Sequence, residues 1–252
     1  MDNFSHLYGL IGYPLSHSFS KRYFNEKFHR EQKKGYYYEL FPLKQISELP
    51  GLLNAHPNLQ GLNVTIPYKQ QVMDYLDELD AGAAAAGAVN TIKVADGRLT
   101  GFNTDVYGFE WSLRQFLGGS GVEVAGLKAL VLGTGGAAKA VVYVLEKMGI
   151  GFQVVSRSKK PQGLIYRELD ETLMEEHRLI INTTPLGMSP QVAACPEIPY
   201  QYISRHHLLY DLVYNPEETA FMARGRQRGA VAQNGLQMLY LQAEKAWEIW
   251  NS

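Results

Sequence analysis

One cysteine, Cys195, stands in a chain of 252 residues. A single thiol forms no internal disulfide and no cysteine-based metal cluster, which excludes a disulfide scaffold and fits a reducing cytoplasm. The histidines (His6, His17, His29, His56, His177, His206 and His207) show no ligand spacing with carboxylates, and no metal site is expected. No apolar run approaches the roughly 20 residues that span a bilayer. The start, Met1-Asp2-Asn3-Phe4, lacks the basic-then-apolar pattern of a secretory signal. A formal net charge of −1 leaves no basic excess for nucleic acid and no charged tail. Internal repeats and low-complexity tracts are absent too. What remains is an ordinary globular composition, 46% hydrophobic, long enough for one large domain or two small ones. A small-molecule partner is therefore expected, with neither nucleic acid nor membrane.

The most informative stretch is Leu130-Val131-Leu132-Gly133-Thr134-Gly135-Gly136-Ala137-Ala138, followed by a helical pattern through Val141, Val144, Leu145 and Met148. Strand, glycine turn and helix N-terminus in that order form a dinucleotide fingerprint, although glycine turns after strands are common. Gly133 makes the turn, Gly135 admits a pyrophosphate, and Ala138 keeps helix and strand packed. The helix N-terminus then favours the anion. The next strand, Phe152 to Ser156, ends roughly 20 residues on, where an NAD enzyme would carry an acid for the ribose hydroxyls. Here Ser156-Arg157-Ser158-Lys159-Lys160 stands instead. Arg157 can stack on adenine and bind a 2′-phosphate, so NADP is preferred over NAD; the plain alternative is a solvated basic loop.

Elsewhere strands alternate with helices, giving an α/β reading with mostly parallel sheets. Strands are expected at Leu7–Gly12, Tyr36–Phe41, Leu59–Thr65, Ala88–Val94, Leu99–Phe102 and Leu208–Tyr214, and Leu179–Met188 reads as a buried strand opening into a polar loop. Asp96-Gly97 signals a hairpin. Helices are expected through Tyr23, Phe24 and Phe28, near Tyr68, at Ala81–Gly87, Tyr107–Leu117, Glu217–Arg228 and Leu236–Trp250. Ser18 and Ser20 suit either an N-cap or a ligand's hydroxyls or carboxylate. Lys69 falls in the first turn of the helix expected near Tyr68, where a cation costs up to about 1 kcal/mol. Catalysis or substrate binding would explain it, as would a snorkelling surface lysine. Asp105 near a helix start is ordinarily a cap. The last helix carries Leu236, Leu239, Tyr240, Ala243, Ala246, Trp247 and Trp250 on one face, and Gln242 lies off the centre of that stripe, where its amide can reach a cleft. Gly118-Gly119-Ser120-Gly121 is the one linker-like cluster, placing a domain junction around the preceding helix.

Six separated motifs resemble the shikimate dehydrogenase family in order and span nearly the whole chain. They are Gly12-Tyr13-Pro14-Leu15-Ser16-His17-Ser18-Phe19-Ser20, Asn63-Val64-Thr65-Ile66-Pro67-Tyr68-Lys69, Gly87-Ala88-Val89-Asn90-Thr91, Asn103-Thr104-Asp105-Val106-Tyr107-Gly108, the glycine turn, and Asn234-Gly235-Leu236-Gln237-Met238-Leu239 followed by Gln242. The resemblance implies an α/β substrate domain from both chain ends (1–106 and 236–252), a Rossmann-type NADP domain at 107–235, and a cleft between them. It implies reversible NADPH-dependent reduction of 3-dehydroshikimate to shikimate, a step of chorismate and aromatic amino-acid biosynthesis, by a cytoplasmic monomer or homodimer. Lys69 and Asp105 match the catalytic positions. Ser18, Ser20, Thr65, Asn90, Asp105, Tyr214 and Gln242 match substrate positions. Gly133, Thr134, Gly135, Gly136, Ala137, Ser156, Arg157, Ser158, Leu212 and Gly235 match cofactor positions. Lys21 and Phe24 depart from the family's usual Pro and His, and Ser156-Arg157-Ser158 replaces its Asn-Arg-Thr. Two alternatives stand beside this reading: a quinate/shikimate dehydrogenase using NAD or NADP, and a non-catalytic relative that senses a metabolite of the pathway.

Overall fold

The strand β1 (His6–Gly12) is buried along all but its first residue, and it takes the place such a run demands, with a neighbour on either side. The computed structural model describes residues 4–15, 18–161 and 163–252; Ser16 and His17 of the first motif lie outside them. Helix α1 (Phe19–Arg30) leads to β2 (Tyr36–Pro42), α2 (Leu49–Ala55) and β3 (Leu59–Val64). The short β4 (Glu78–Leu79), α3 (Ala81–Ala86), β5 (Thr91–Ala95) and β6 (Arg98–Phe102) follow. Their sheet has the order β2-β1-β3-β5-β6-β4. It is mixed: β1 runs parallel to β2 and β3, whereas β5 runs antiparallel to β3 and β6. The antiparallel pair is closed by Asp96-Gly97, both at positive φ, as a tight hairpin turn requires.

Helix α4 (Thr104–Gly119) is followed by β7 (Lys128–Leu132), α5 (Gly136–Lys147), β8 (Gly151–Ser156) and β9 (Leu164–Ile165). Then come α6 (Glu171–Glu176), β10 (Leu179–Asn182), β11 (Leu208–Asp211), α7 (Ala220–Gln227), β12 (Val231–Gln233) and α8 (Leu236–Trp250). The second sheet is wholly parallel, in the order β12-β11-β10-β7-β8-β9. Strand order reverses between β7 and β10, which puts the ligand-binding switch point of a doubly wound sheet beside Gly133. The chain divides into two compact units, one running to Thr104 and including Ala243–Ser252, the other Asp105–Gln242. The chain end belongs to the first sheet because Trp250 Nε1 donates to the Ile92 carbonyl at 2.9 Å. Gly61 makes room for that indole; a Cβ there would lie 2.3 Å from Nε1.

Four expectations are corrected. Residues 66–70 form turns and 71–75 a 3₁₀ helix, so Lys69 does not sit at an α-helix N-terminus and the dipole argument for it falls. The turn is closed instead by Tyr68 N–H on the Thr65 carbonyl, an i to i+3 bond, and the 3₁₀ helix continues that tighter winding. Helix α4 begins at Thr104 rather than Tyr107, because Asn90, remote in sequence, accepts the Thr104 N–H at 2.7 Å. Asp105 is thus inside the first turn. On α8 the buried side is Met238, Gln242, Ala243, Ala246 and Trp250, while Leu236 and Tyr240 are exposed; Gln242 lies on the buried stripe. Finally, β5 begins at Thr91, with Ala88–Asn90 an irregular link before it. Among the described residues no helix is long and apolar enough to cross a membrane.

Candidate active site

Backbone hydrogen bonds of the first unit gather three of the candidate residues. Val64 N–H donates to the Asn90 carbonyl at 2.8 Å, and Thr65 follows directly. Tyr68 N–H returns to the Thr65 carbonyl at 3.0 Å, and the Lys69 carbonyl accepts from Val89 N–H at 2.7 Å. The 88–90 link is therefore pinned from both sides, with Thr65 and Lys69 on the turn after β3 and Asn90 beside them. Lys69 and Thr65 are half-buried; Asn90 is buried, as polar groups may be when bonded. On its other side Asn90 holds Thr104, and Asp105 is the next residue in the chain. Ser18 is the N-cap of α1, accepting the Lys21 N–H, so the capping reading describes its bond within the protein. Ser20, one residue into that helix, lies against the phenol of Tyr38. Lys21 turns to Glu39 on β2.

A cavity of about 1000 Å³ in the same unit contains none of these residues. Leu59, Lys93, Asp96 and Trp250 are among its walls, at the opposite end of β3 from Thr65.

In the second unit Asp105 lies one turn before Gly108, on the same face of α4. A Cβ on Gly108 would come 2.6 Å from the Met238 carbonyl and 3.1 Å from Gln242, so this glycine lets α4 and α8 touch backbone to backbone. Asp105 and Gln242 are thereby brought to one helix–helix contact. The Gln242 amide donates to the Leu239 carbonyl of its own helix at 2.9 Å. Tyr214, on the loop after β11, is exposed.

The cofactor candidates line the C-terminal ends of β7, β8 and β11. Gly133 has φ +118°, and a Cβ there would meet Thr183 Oγ1 at 2.5 Å, so only glycine fits. Gly135 is the N-cap of α5 and offers no side-chain cap, and a Cβ on Gly135 or Gly136 would meet nothing within 4 Å. The first turn of α5 thus has no capping side chain and open space beside both glycines, which fits the close approach of a pyrophosphate. Thr134 is exposed, Ala137 half-buried and Ala138 buried, the last packing helix to strand. Ser156 is buried and donates to the Ser158 carbonyl, which turns the chain so that Arg157 and Ser158 are exposed at the strand end. Lys159 is occupied by Glu168 at 2.7 Å. Leu212 and Gly235 touch: a Cβ on Gly235 would lie 2.2 Å from the Leu212 carbonyl oxygen. Because that oxygen is backbone, Gly235→Ala is expected to cost about 1–3 kcal/mol, read as a lower denaturant midpoint with unchanged slope.

Residues 10–92 match the family model for the shikimate dehydrogenase substrate binding domain. A protein of Desulforamulus reducens named shikimate dehydrogenase (NADP(+)) is 36% identical over 262 residues, covering 96% of this chain and 88% of its own. The chain belongs to the shikimate dehydrogenase family. Among solved structures, the Thermus thermophilus shikimate 5-dehydrogenase in complex with NADP(H) and shikimate superposes with a TM-score of 0.79 at 30% identity, covering 97% of this chain and 93% of that one. Quinate dehydrogenase from Corynebacterium glutamicum in complex with NAD gives a TM-score of 0.84 at 28% identity, over 97% and 93%. Fold alone therefore does not separate the two substrates.

Motif residues to which sequence reasoning attached no role prove to be the frame of this shikimate dehydrogenase. Asn63, Thr91, Asn103 and Thr104 are all buried and hydrogen-bonded around the 88–90 link; Asn103 Nδ2 donates to the Ala88 carbonyl at 2.8 Å. In the second unit Asp211 is wholly buried and accepts from Asn182 Nδ2 at 2.9 Å, Val213 N–H at 3.0 Å and Thr219 Oγ1 at 2.6 Å. Its bond to Val213 fixes the loop carrying Leu212 and Tyr214. The signal was a polar residue at the end of an apolar strand, which a loop boundary explains equally well.

Proposed function

We propose that this shikimate dehydrogenase catalyses the reversible NADPH-dependent reduction of 3-dehydroshikimate to shikimate. The observation that carries the reading is the pinning of Lys69 and Asn90 to one backbone link, with Asp105 following the Asn90-capped Thr104. Thr65, Asn90 and Gln242 are neutral donors and acceptors, suited to a polyhydroxylated ring. Ser18, Ser20 and Tyr214 supply hydroxyls for its carboxylate. NADPH supplies the hydride. Reduction of the ring ketone leaves an alkoxide that needs a proton, and Lys69 Nζ donates it; in the reverse direction Lys69 takes the proton from the hydroxyl. Asp105 orients the ammonium and accepts from a substrate hydroxyl. Gly133, Thr134, Gly135, Gly136 and Ala137 would hold the pyrophosphate, Leu212 and Gly235 the nicotinamide end, and Ser156, Arg157 and Ser158 the adenosine 2′-phosphate. The substrate role is thus proposed for residues 1–106 and 236–252 and the cofactor role for 107–235.

Absorbance at the nicotinamide band, with shikimate and quinate each offered NADP and NAD, tests this directly. Turnover with shikimate and NADP and poor rates for the other pairs are expected. Comparable quinate or NAD rates would assign the chain to the dual-specificity reading, which the likeness to the Corynebacterium enzyme favours and the lack of an acid after β8 opposes. Shikimate binding without turnover would leave the sensor. Arg157→Ala is expected to raise KM for NADP about tenfold or more while leaving KM for NAD within about twofold, since only the phosphate contact is lost.

A further inference from the structure

Beneath the Asn90 position runs a chain of buried side chains whose hydrogen-bond directions are set from both ends. Tyr38 is fully buried, and burial pushes its phenol well above the usual 10, so it is always a donor; it donates to Asn63 Oδ1 at 2.7 Å. Asn63 must then use its Nδ2, which faces the Asn90 carbonyl at 3.4 Å and Thr91 Oγ1 at 3.2 Å. A carbonyl accepts only, so the amide cannot be flipped. Thr91, having accepted from Asn63, has one proton to give, with Asn90 Oδ1 and Thr104 Oγ1 each 3.1 Å away; given to Thr104, it leaves the Thr104 hydroxyl proton for the same Asn90 oxygen at 3.2 Å. The same oxygen accepts from Thr104 N–H at 2.7 Å and lies 3.2 Å from Thr104 Oγ1. A backbone N–H can only donate, so it calls for the same orientation of the Asn90 amide and shares the anchoring with the Thr91 side.

The far end of that amide is the consequence. Asn90 is 3% exposed, its Oδ1 is occupied by these donors, and its Nδ2 meets no partner among the described residues. No buried side-chain nitrogen or oxygen among them lacks a partner, so Nδ2 reaches the surface. We propose that Thr91, with Asn63 and Tyr38 behind it, is a positioning residue that locks Asn90 with its NH₂ outward, making position 90 a donor-only contact that selects an acceptor on the substrate. This inference rests on the proposed shikimate activity. It separates Asn90 from the hydroxyl residues around it, each of which can rotate to donate or accept.

The test compares Thr91→Val with Thr91→Ser, with KM and kcat measured for shikimate and KM for NADP. Valine keeps the shape and removes the hydroxyl, so the Asn90 amide loses one of its anchors. Thr91→Val is expected to raise KM for shikimate about tenfold, with kcat within about threefold and KM for NADP unchanged, and Thr91→Ser to restore KM to within about twofold. An unchanged KM for shikimate in folded Thr91→Val overturns the proposal. So does a parallel rise in both KM values, which marks general loosening. If Thr91→Val does not fold, Tyr38→Phe removes the first donor; about a threefold rise confined to KM for shikimate is expected, and none overturns the proposal. Wild-type protein without shikimate turnover would overturn the proposed activity itself, whereas active wild type with indifferent variants overturns only the role of Thr91.

Discussion

Lys69→Ala is expected to lower kcat by about 10²–10⁴-fold while KM for shikimate changes less than about threefold. The split follows from what the residue does at each end. Its carbonyl, bonded to Val89 N–H, is backbone and survives the substitution, so the 88–90 link and Asn90 stay in place. Its half-buried side chain spans no core, so folding is expected to be little affected. What disappears is the proton donor, an interaction that matters as the alkoxide forms and hardly at all in the ground state. Steady-state kinetics in the shikimate-oxidising direction measure both constants. Equal losses in kcat/KM and affinity would instead make Lys69 a binding residue, and wild-type kcat would remove it from the chemistry. Asn90→Ala should give the opposite pattern, a raised KM with a smaller change in kcat.

How legible was this site? The parallel sheet and its glycine turn were readable because their signals are local: an apolar run, then Gly133, Gly135 and a helical period. Helix α8 was readable in extent for the same reason, from Leu236 to Trp250. The start of α4 was not, since its first N–H is met by Asn90, which precedes it by a whole hairpin. Nor was the turn at Lys69, whose carbonyl is held by Val89 N–H from a distant part of the chain. The face of α8 was misjudged around Gln242 because Gly108 admits a backbone contact that places a polar residue inward. Asn63, Thr91 and Asp211 were invisible as a group, since their partners come from elements that sequence alone does not bring together. Composition and period report which residues are buried; they do not report which polar groups meet.

Asp211 carries the last expected result, a pH dependence of stability that Asp211→Asn removes. The carboxyl is fully buried at the end of β11, and burial raises it from 3.8 to about 6, against the opposing pull of the Thr219, Val213 and Asn182 donors. The folded state therefore binds this proton more tightly than the unfolded chain. Below about pH 3.8 both states are protonated and the favourable contribution is complete. Between 3.8 and about 6 the unfolded chain ionises while the folded one does not, so stability falls as pH rises. Above about 6 both are ionised and the loss is constant, of order 3 kcal/mol for a shift of this size. Asn at 211 keeps the acceptor for Val213 N–H and Asn182, while its NH₂ replaces the oxygen to which the Thr219 hydroxyl donates. That mismatch is a fixed cost at every pH. The informative quantity is consequently the wild-type minus variant difference in unfolding free energy, followed by urea titration from pH 4 to pH 7. It should move by about 2.5 kcal/mol in favour of the variant across that window and stay flat above it. A difference that does not vary with pH would mean that Asp211 is ionised in the folded protein throughout. The three donors would then outweigh burial, and the loop that carries Leu212 and Tyr214 would be held by a charge rather than by a neutral carboxyl.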